Sequence, residues 1–145
     1  LILGIVLGRL LGLLTVARNI SNAQEILLQL AAIGFFVALP QELFFRGVMY
    51  NLLVKRLQPI RYNVLYAILI SSLLFGLAHG GLAIGPTLTI SLGSLQWACP
   101  WALILMNTFA GFFYVWIYIR IGKIAAPVLL HTLVNWTWFA FLTTA

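Results

Sequence analysis

Long apolar runs separated by short polar or basic breaks organise this chain. Leu1 to Ala17 is apolar except around Arg9, and Ser21-Asn22-Ala23-Gln24-Glu25 follows it. That second stretch reads as a helix start, with Ser21 or Asn22 as cap and an acid in the first turn. Ile26 to Val54 is then apolar for about 29 residues, roughly 43 Å as one helix. A hydrocarbon core is only about 30 Å thick, and Pro40 falls mid-run, so a kinked or broken pair of helices is expected there. Further spans are predicted at Asn63–Ala78, Trp101–Ile119 and Ala125–Leu142. Residues 82–100 hold Gly85-Pro86, Gly93 and Cys99-Pro100 without a charge, and read as a luminal or re-entrant segment. The expected fold class is all-α: a polytopic helical membrane bundle of about five spans, with a broken helix near Pro40 and a re-entrant segment at 82–100. Residues 1–145 form one domain whose N-terminus is expected to be incomplete, because the chain opens on Leu1.

Composition settles the environment. Of 145 residues, 63% are hydrophobic and 7% charged, against about 25% charged in soluble domains. Mean hydropathy of +1.11 excludes a water-soluble globule. The eight bases fall mostly at the ends of apolar runs, in Lys55–Arg61 and Arg120–Lys123, rather than in a nucleic-acid patch. Positive charge marks cytoplasmic-side loops, so 55–61 and 120–123 are placed on that side or its equivalent. An even number of crossings must then separate them, which Asn63–Ala78 and Trp101–Ile119 supply if 82–100 does not cross. Anionic headgroups are natural contacts for Lys55–Arg61. The expected partner is thus the lipid bilayer, not nucleic acid.

Within the apolar runs the polar residues that stand out are Gln41, Glu42, Arg46, His79, Asn107, His131 and Asn135. Ionisable groups in a membrane are costly and mark function by default. Glu42 and Arg46 are four apart and can pair on one helix face, which a purely structural salt bridge would also explain. His131 and Asn135 share a face too, where interhelical hydrogen bonding is the alternative. Asn107 reads as packing glue and Cys99 as an inert thiol.

Jointly the pattern is Gln41-Glu42-x-x-x-Arg46-Gly47, Phe75-x-x-x-His79 and His131-x-x-x-Asn135. It resembles the CAAX-protease and bacteriocin-processing family of intramembrane proteases, also called the Abi or type II CAAX prenyl protease family. Phe109-Ala110-Gly111, Ile121-Gly122 and Pro127 strengthen the likeness, which covers residues 30–142. The resemblance implies a site of Gln41, Glu42, Arg46, His79, His131 and Asn135. His79 would help activate the attacking water, His131 and Asn135 would steady the oxyanion, and Glu42 with Arg46 would order the site. The family has Glu where this chain has Gln41. A carboxylate can take a proton from water and return it to a leaving amine; a carboxamide can only orient the water.

Function therefore reads two ways. One is an intramembrane endopeptidase, impaired at Gln41, acting on a membrane-associated peptide or protein such as a prenylated C-terminus or a leader peptide. The other is a non-catalytic binding or scaffold subunit among partner membrane subunits, with His79 or His131 as ligand to a haem or pigment. Zinc could be held by His79 and His131, but no third ligand is evident and the residues do not favour it. Counted from the basic loops at 1.5 Å per residue, His131 lies about 10 Å deep, Gln41 about 20 Å and His79 about 26 Å. Upright straight helices would keep these apart, so a shared site requires tilt or a break at Pro40.

Overall fold

The computed structural model describes residues 14–16, 23–82 and 86–144. Helix dominates, as the long apolar runs require. Helix α1 spans Ala23–Arg56 and α2 Asn63–Leu77; α3 spans Trp101–Ile121 and α4 Ala125–Phe141. Among the described residues two helices, α1 and α3, are long and apolar enough to cross a membrane, while α2 is apolar but shorter. The count of about five spans is not reached by that measure. The expected span Leu1–Ala17 lies outside the described residues except for its end, where Leu14–Val16 (β1) is extended instead of helical.

The expected break at Pro40 takes another form. Helical dihedrals continue through the proline, at φ −68°, ψ −48° for Ala38 and φ −59°, ψ −44° for Leu43. Wider π-helical turns flank it at Ile33–Ala38 and Leu43–Tyr50. Proline lacks an N–H and its ring presses on the carbonyl four residues back. Widening the turn relieves both problems without ending the helix: the Leu39 N–H bonds to the Gly34 carbonyl, five residues earlier. Such turns insert a residue into the helical phase and recur at functional sites. Here they bracket Gln41 and Glu42. At about 50 Å, α1 outruns a bilayer core and must tilt or emerge from it.

All-α is also corrected in detail. Residues 82–100 carry a β-hairpin, β2 (Leu88–Leu92) paired antiparallel with β3 (Leu95–Cys99). Its turn is Gly93-Ser94, with Gly93 at φ 64°, where a side chain would be strained. A second ribbon pairs β1 with β4 (Leu142–Thr144), so the last helix ends at Phe141. Thr89, Ile90, Thr143 and Thr144 favour extended backbone over helix.

The helices approach closely through small residues. Gly76 of α2 lies against Thr108 and the Ile104 carbonyl of α3, and Gly111 of α3 lies against Ser72 and Phe75 of α2. A Cβ on Gly76 would stand 2.6 Å from the Ile104 oxygen. Small residues at helix crossings serve membrane bundles, where apolar burial adds little between helices. At one end of the bundle, Asn51 Nδ2 donates to the Tyr118 hydroxyl at 3.2 Å, and the Tyr50 and Tyr118 rings meet edge to face. Both basic segments, 55–61 and 120–123, thus follow contacts at the same end. The outer faces carry Phe36, Leu65, Leu73, Phe109, Phe113, Leu129 and Leu133 exposed, an apolar surface suited to lipid and unsuited to water.

Candidate active site

Glu42 is the centre of the polar cluster. It is fully buried, as is Arg46 one turn on. The i, i+4 spacing places Arg46 Nε 3.0 Å from Glu42 Oε2, as their shared face predicts. The guanidinium continues outward: Nη2 donates to the Gly111 carbonyl at 2.9 Å. It also sits over three aromatic faces, closest to Phe75 at 4.5 Å, then Tyr114 at 5.3 Å and Phe45 at 5.9 Å. Cation–π contact of this kind helps a desolvated guanidinium that has only one carboxylate.

The other Glu42 oxygen reaches a different helix. His131 Nδ1 of α4 lies 2.8 Å from Glu42 Oε1 across 89 residues of sequence. Phe75 supplies the common wall: its ring is edge-on to His131 at 5.7 Å and tilted against His79 at 4.9 Å. Tyr114 stacks on the His131 imidazole at 4.8 Å and 20°. His79, just past the end of α2, points its Nδ1 at the Phe75 carbonyl 2.8 Å away. The Phe-x-x-x-His spacing therefore bonds the imidazole to a carbonyl one turn back, where the helix is ending.

Four of the six sequence-derived residues, Glu42, Arg46, His79 and His131, are thus joined directly or through the Phe75 ring. Gln41, beside Glu42, has its carboxamide oxygen buried and without a hydrogen bond among the described residues. Asn135 lies one turn beyond His131 on α4. Asn107, read as packing glue, donates its Nδ2 to the Leu103 carbonyl of its own helix at 3.0 Å. Bonding back to the i−4 carbonyl satisfies an amide in an apolar helix without a partner on a neighbour.

Sequence reasoning missed Tyr114, whose stacking on His131 has no spacing signal on α3. It also missed Asn51, which donates to the Arg46 and Gly47 carbonyls and so satisfies backbone within the second π turn. Among the described residues no group of three or more His, Cys, Asp or Glu gathers to hold a metal ion.

The family model described as type II CAAX prenyl endopeptidase Rce1-like matches residues 23–137. The chain belongs to that family. The match runs from the start of α1 nearly to the end of α4 and takes in every residue of the cluster. The endopeptidase fold and its membrane setting accordingly agree with the apolar helices α1 and α3. Comparison with curated proteins and with solved structures gives no significant match.

Proposed function

We propose that this chain is an integral, multi-pass CAAX-type endopeptidase whose hydrolytic step is slow because residue 41 is Gln. The convergence of Glu42, His131 and His79 around the Phe75 ring supports this reading most strongly. In it, Gln41, His79, His131 and Asn135 face the scissile bond, while Glu42 and Arg46 hold them in place. Gln41 orients a water through its carboxamide oxygen and does not take the proton. Glu42 does not stand in as a free base, because Oε1 is held by His131 and Oε2 is ion-paired with Arg46.

The substrate class is a membrane-associated peptide or protein, a prenylated C-terminus or a leader peptide. The Asn51–Tyr118 contact supports a shared end for the 55–61 and 120–123 loops, and their positive charge is the reason to assign that end to the cytoplasmic or equivalent side. The hairpin β2–β3 has open edges, which lipid does not tolerate, so it lies at the opposite membrane surface. That leaves α2 and α3 as the two crossings between the basic loops.

The test compares the protein as it stands with Gln41→Glu in lipid nanodiscs, using a farnesylated C-terminal peptide and an unprenylated leader-type peptide. Slow cleavage by the natural sequence and a rise of about 10²–10⁴-fold in Gln41→Glu are expected. Equal rates would refute the impairment. Cleavage by neither form would refute the hydrolase reading. The binding-subunit reading, which the engagement of both Glu42 oxygens favours, would then replace it.

A further inference from the structure

We propose that the β2–β3 hairpin is an amphipathic anchor lying flat on the bilayer, one face in lipid and the other in water, and that it sets the depth of the chain around His79. The inference builds on the membrane placement proposed above. The strand register carries it. Leu88 pairs with Cys99 and Ile90 with Trp97, while Thr89 pairs with Ala98 and Ser91 with Gln96. Cross-strand partners share a face, and successive residues alternate between faces. One face therefore presents Leu88, Ile90, Trp97 and Cys99, and the other Thr89, Ser91, Gln96 and Ala98. Apolar and polar side chains are separated by that alternation. Residues 82–100 carry no charge, so what holds the hairpin to a membrane is its apolar face and not attraction to headgroup charge.

Two physical limits fix where such a hairpin sits. Among the described residues its outer edges have no neighbouring strand, and hydrocarbon cannot satisfy the N–H and C=O groups on them. The bilayer core is thereby excluded. Bulk water is disfavoured by the other requirement, since Leu88 is 61% and Trp97 45% exposed on one face. At the headgroup boundary both are met: edges and hydroxyls reach water while Leu88 and the indole reach acyl chains. Tryptophan suits that depth. The indole Nε1 already donates to the Gly80 carbonyl at 3.2 Å, so the ring enters lipid without an unpaired N–H. Leu77 and Leu82 before the hairpin and Trp101 and Leu105 after it are exposed as well, so the apolar surface of the bundle continues into it.

The same indole ties the anchor to the turn that carries His79. Gly80 is the next residue, and a Cβ on it would stand 3.2 Å from the Trp97 ring and 3.3 Å from the Ile104 side chain. The turn is held internally as well: the Gly80 N–H bonds to the Leu77 carbonyl at 2.9 Å, and the Leu82 N–H to the His79 carbonyl at 3.1 Å. On its other side the hairpin runs through buried Pro100 straight into α3. Seating the hairpin at the boundary therefore sets the depth of residues 77–82. That depth suits a peptide held at the membrane surface, the substrate class proposed above.

The whole chain in phosphatidylcholine nanodiscs, with Cys99→Ser and one nitroxide label at a time on Leu88→Cys, Thr89→Cys, Ile90→Cys or Ser91→Cys, tests the orientation. The ratio of collisions with oxygen to collisions with a water-soluble nickel chelate should be high at 88 and 90 and low at 89 and 91. High nickel access at all four would put the hairpin in water, high oxygen access at all four would immerse it, and the opposite alternation would turn it over; each overturns the proposal. Low access to both reagents at 88 and 90 would mean that protein, not lipid, covers that face, and would overturn it too. Brominated lipids check the unlabelled chain. The emission lost in Trp97→Phe should be quenched more by bromines near the headgroups than by bromines at the chain ends, and the reverse order, or no quenching, would overturn the placement. Leu88→Asp should speed hydrogen exchange at the Gly80 and Leu82 amides while Ser91→Asp leaves it unchanged; unchanged exchange in both would overturn the link to His79. Cleavage enters none of these measurements, so failure of the hydrolase reading is distinguishable from failure of the anchor.

Discussion

Removing one half of the Glu42–Arg46 pair should cost far more stability than removing both. Each side chain is fully buried, and their closest atoms are 3.0 Å apart. At an effective dielectric of about 20, that separation corresponds to roughly 5 kcal/mol of gross attraction, offset by the cost of burying both charges. Glu42→Gln leaves the Arg46 cation with the Gly111 carbonyl and the aromatic faces but no anion. Arg46→Met leaves the Glu42 anion with His131 alone. Each single change should cost about 3–5 kcal/mol, the range for an uncompensated buried charge. The double variant removes both charges and retains a carboxamide acceptor for His131. Its loss should fall at least about 3 kcal/mol short of the sum of the singles. Reversible unfolding in mixed micelles by SDS titration measures all four corners of this cycle. Additive losses would refute the argument, because they would mean that the two charges do not compensate each other.

Two further outcomes follow from packing. Gly76→Ala should destabilise the bundle by at least about 1–3 kcal/mol in the same titration, and Thr108→Ala should restore little of it, since the Ile104 oxygen at 2.6 Å is backbone and cannot swing away. Trp97→Phe removes the indole bond to the Gly80 carbonyl at 3.2 Å; hydrogen exchange should quicken across 88–99, by an amount corresponding to about 0.5–1.5 kcal/mol, while the amides of α3 stay protected.

Much of the site was legible because helical spacing is a local property. The interval of four between Glu42 and Arg46 implied one face, and the ion pair lies on that face. The same interval from Phe75 to His79 becomes a hydrogen bond to a helix-end carbonyl. Depth counting was less reliable. A straight ruler separated His79 from His131, yet both rings touch Phe75. That count assumed upright helices of uniform rise, and α1 is both too long to stand upright and wound with two π turns. Pro40 does disturb the helix, but wider turns absorb it within one continuous helix and no break follows. Whether a helix breaks or widens at a proline depends on what packs around it, which composition does not record.

By itself the sequence determined the environment, the helical class and the identity of the few polar residues, because those follow from the cost of charge in an apolar medium and from local periodicity. Only the tertiary structure decided which partner each polar atom has. Glu42 spends one oxygen on its own helix and the other on His131, 89 residues away. Tyr114, invisible to spacing rules, closes over that imidazole. Long-range pairing depends on how the helices pack, as where α2 meets α3 at Gly76 and Gly111, and no local spacing rule encodes that packing.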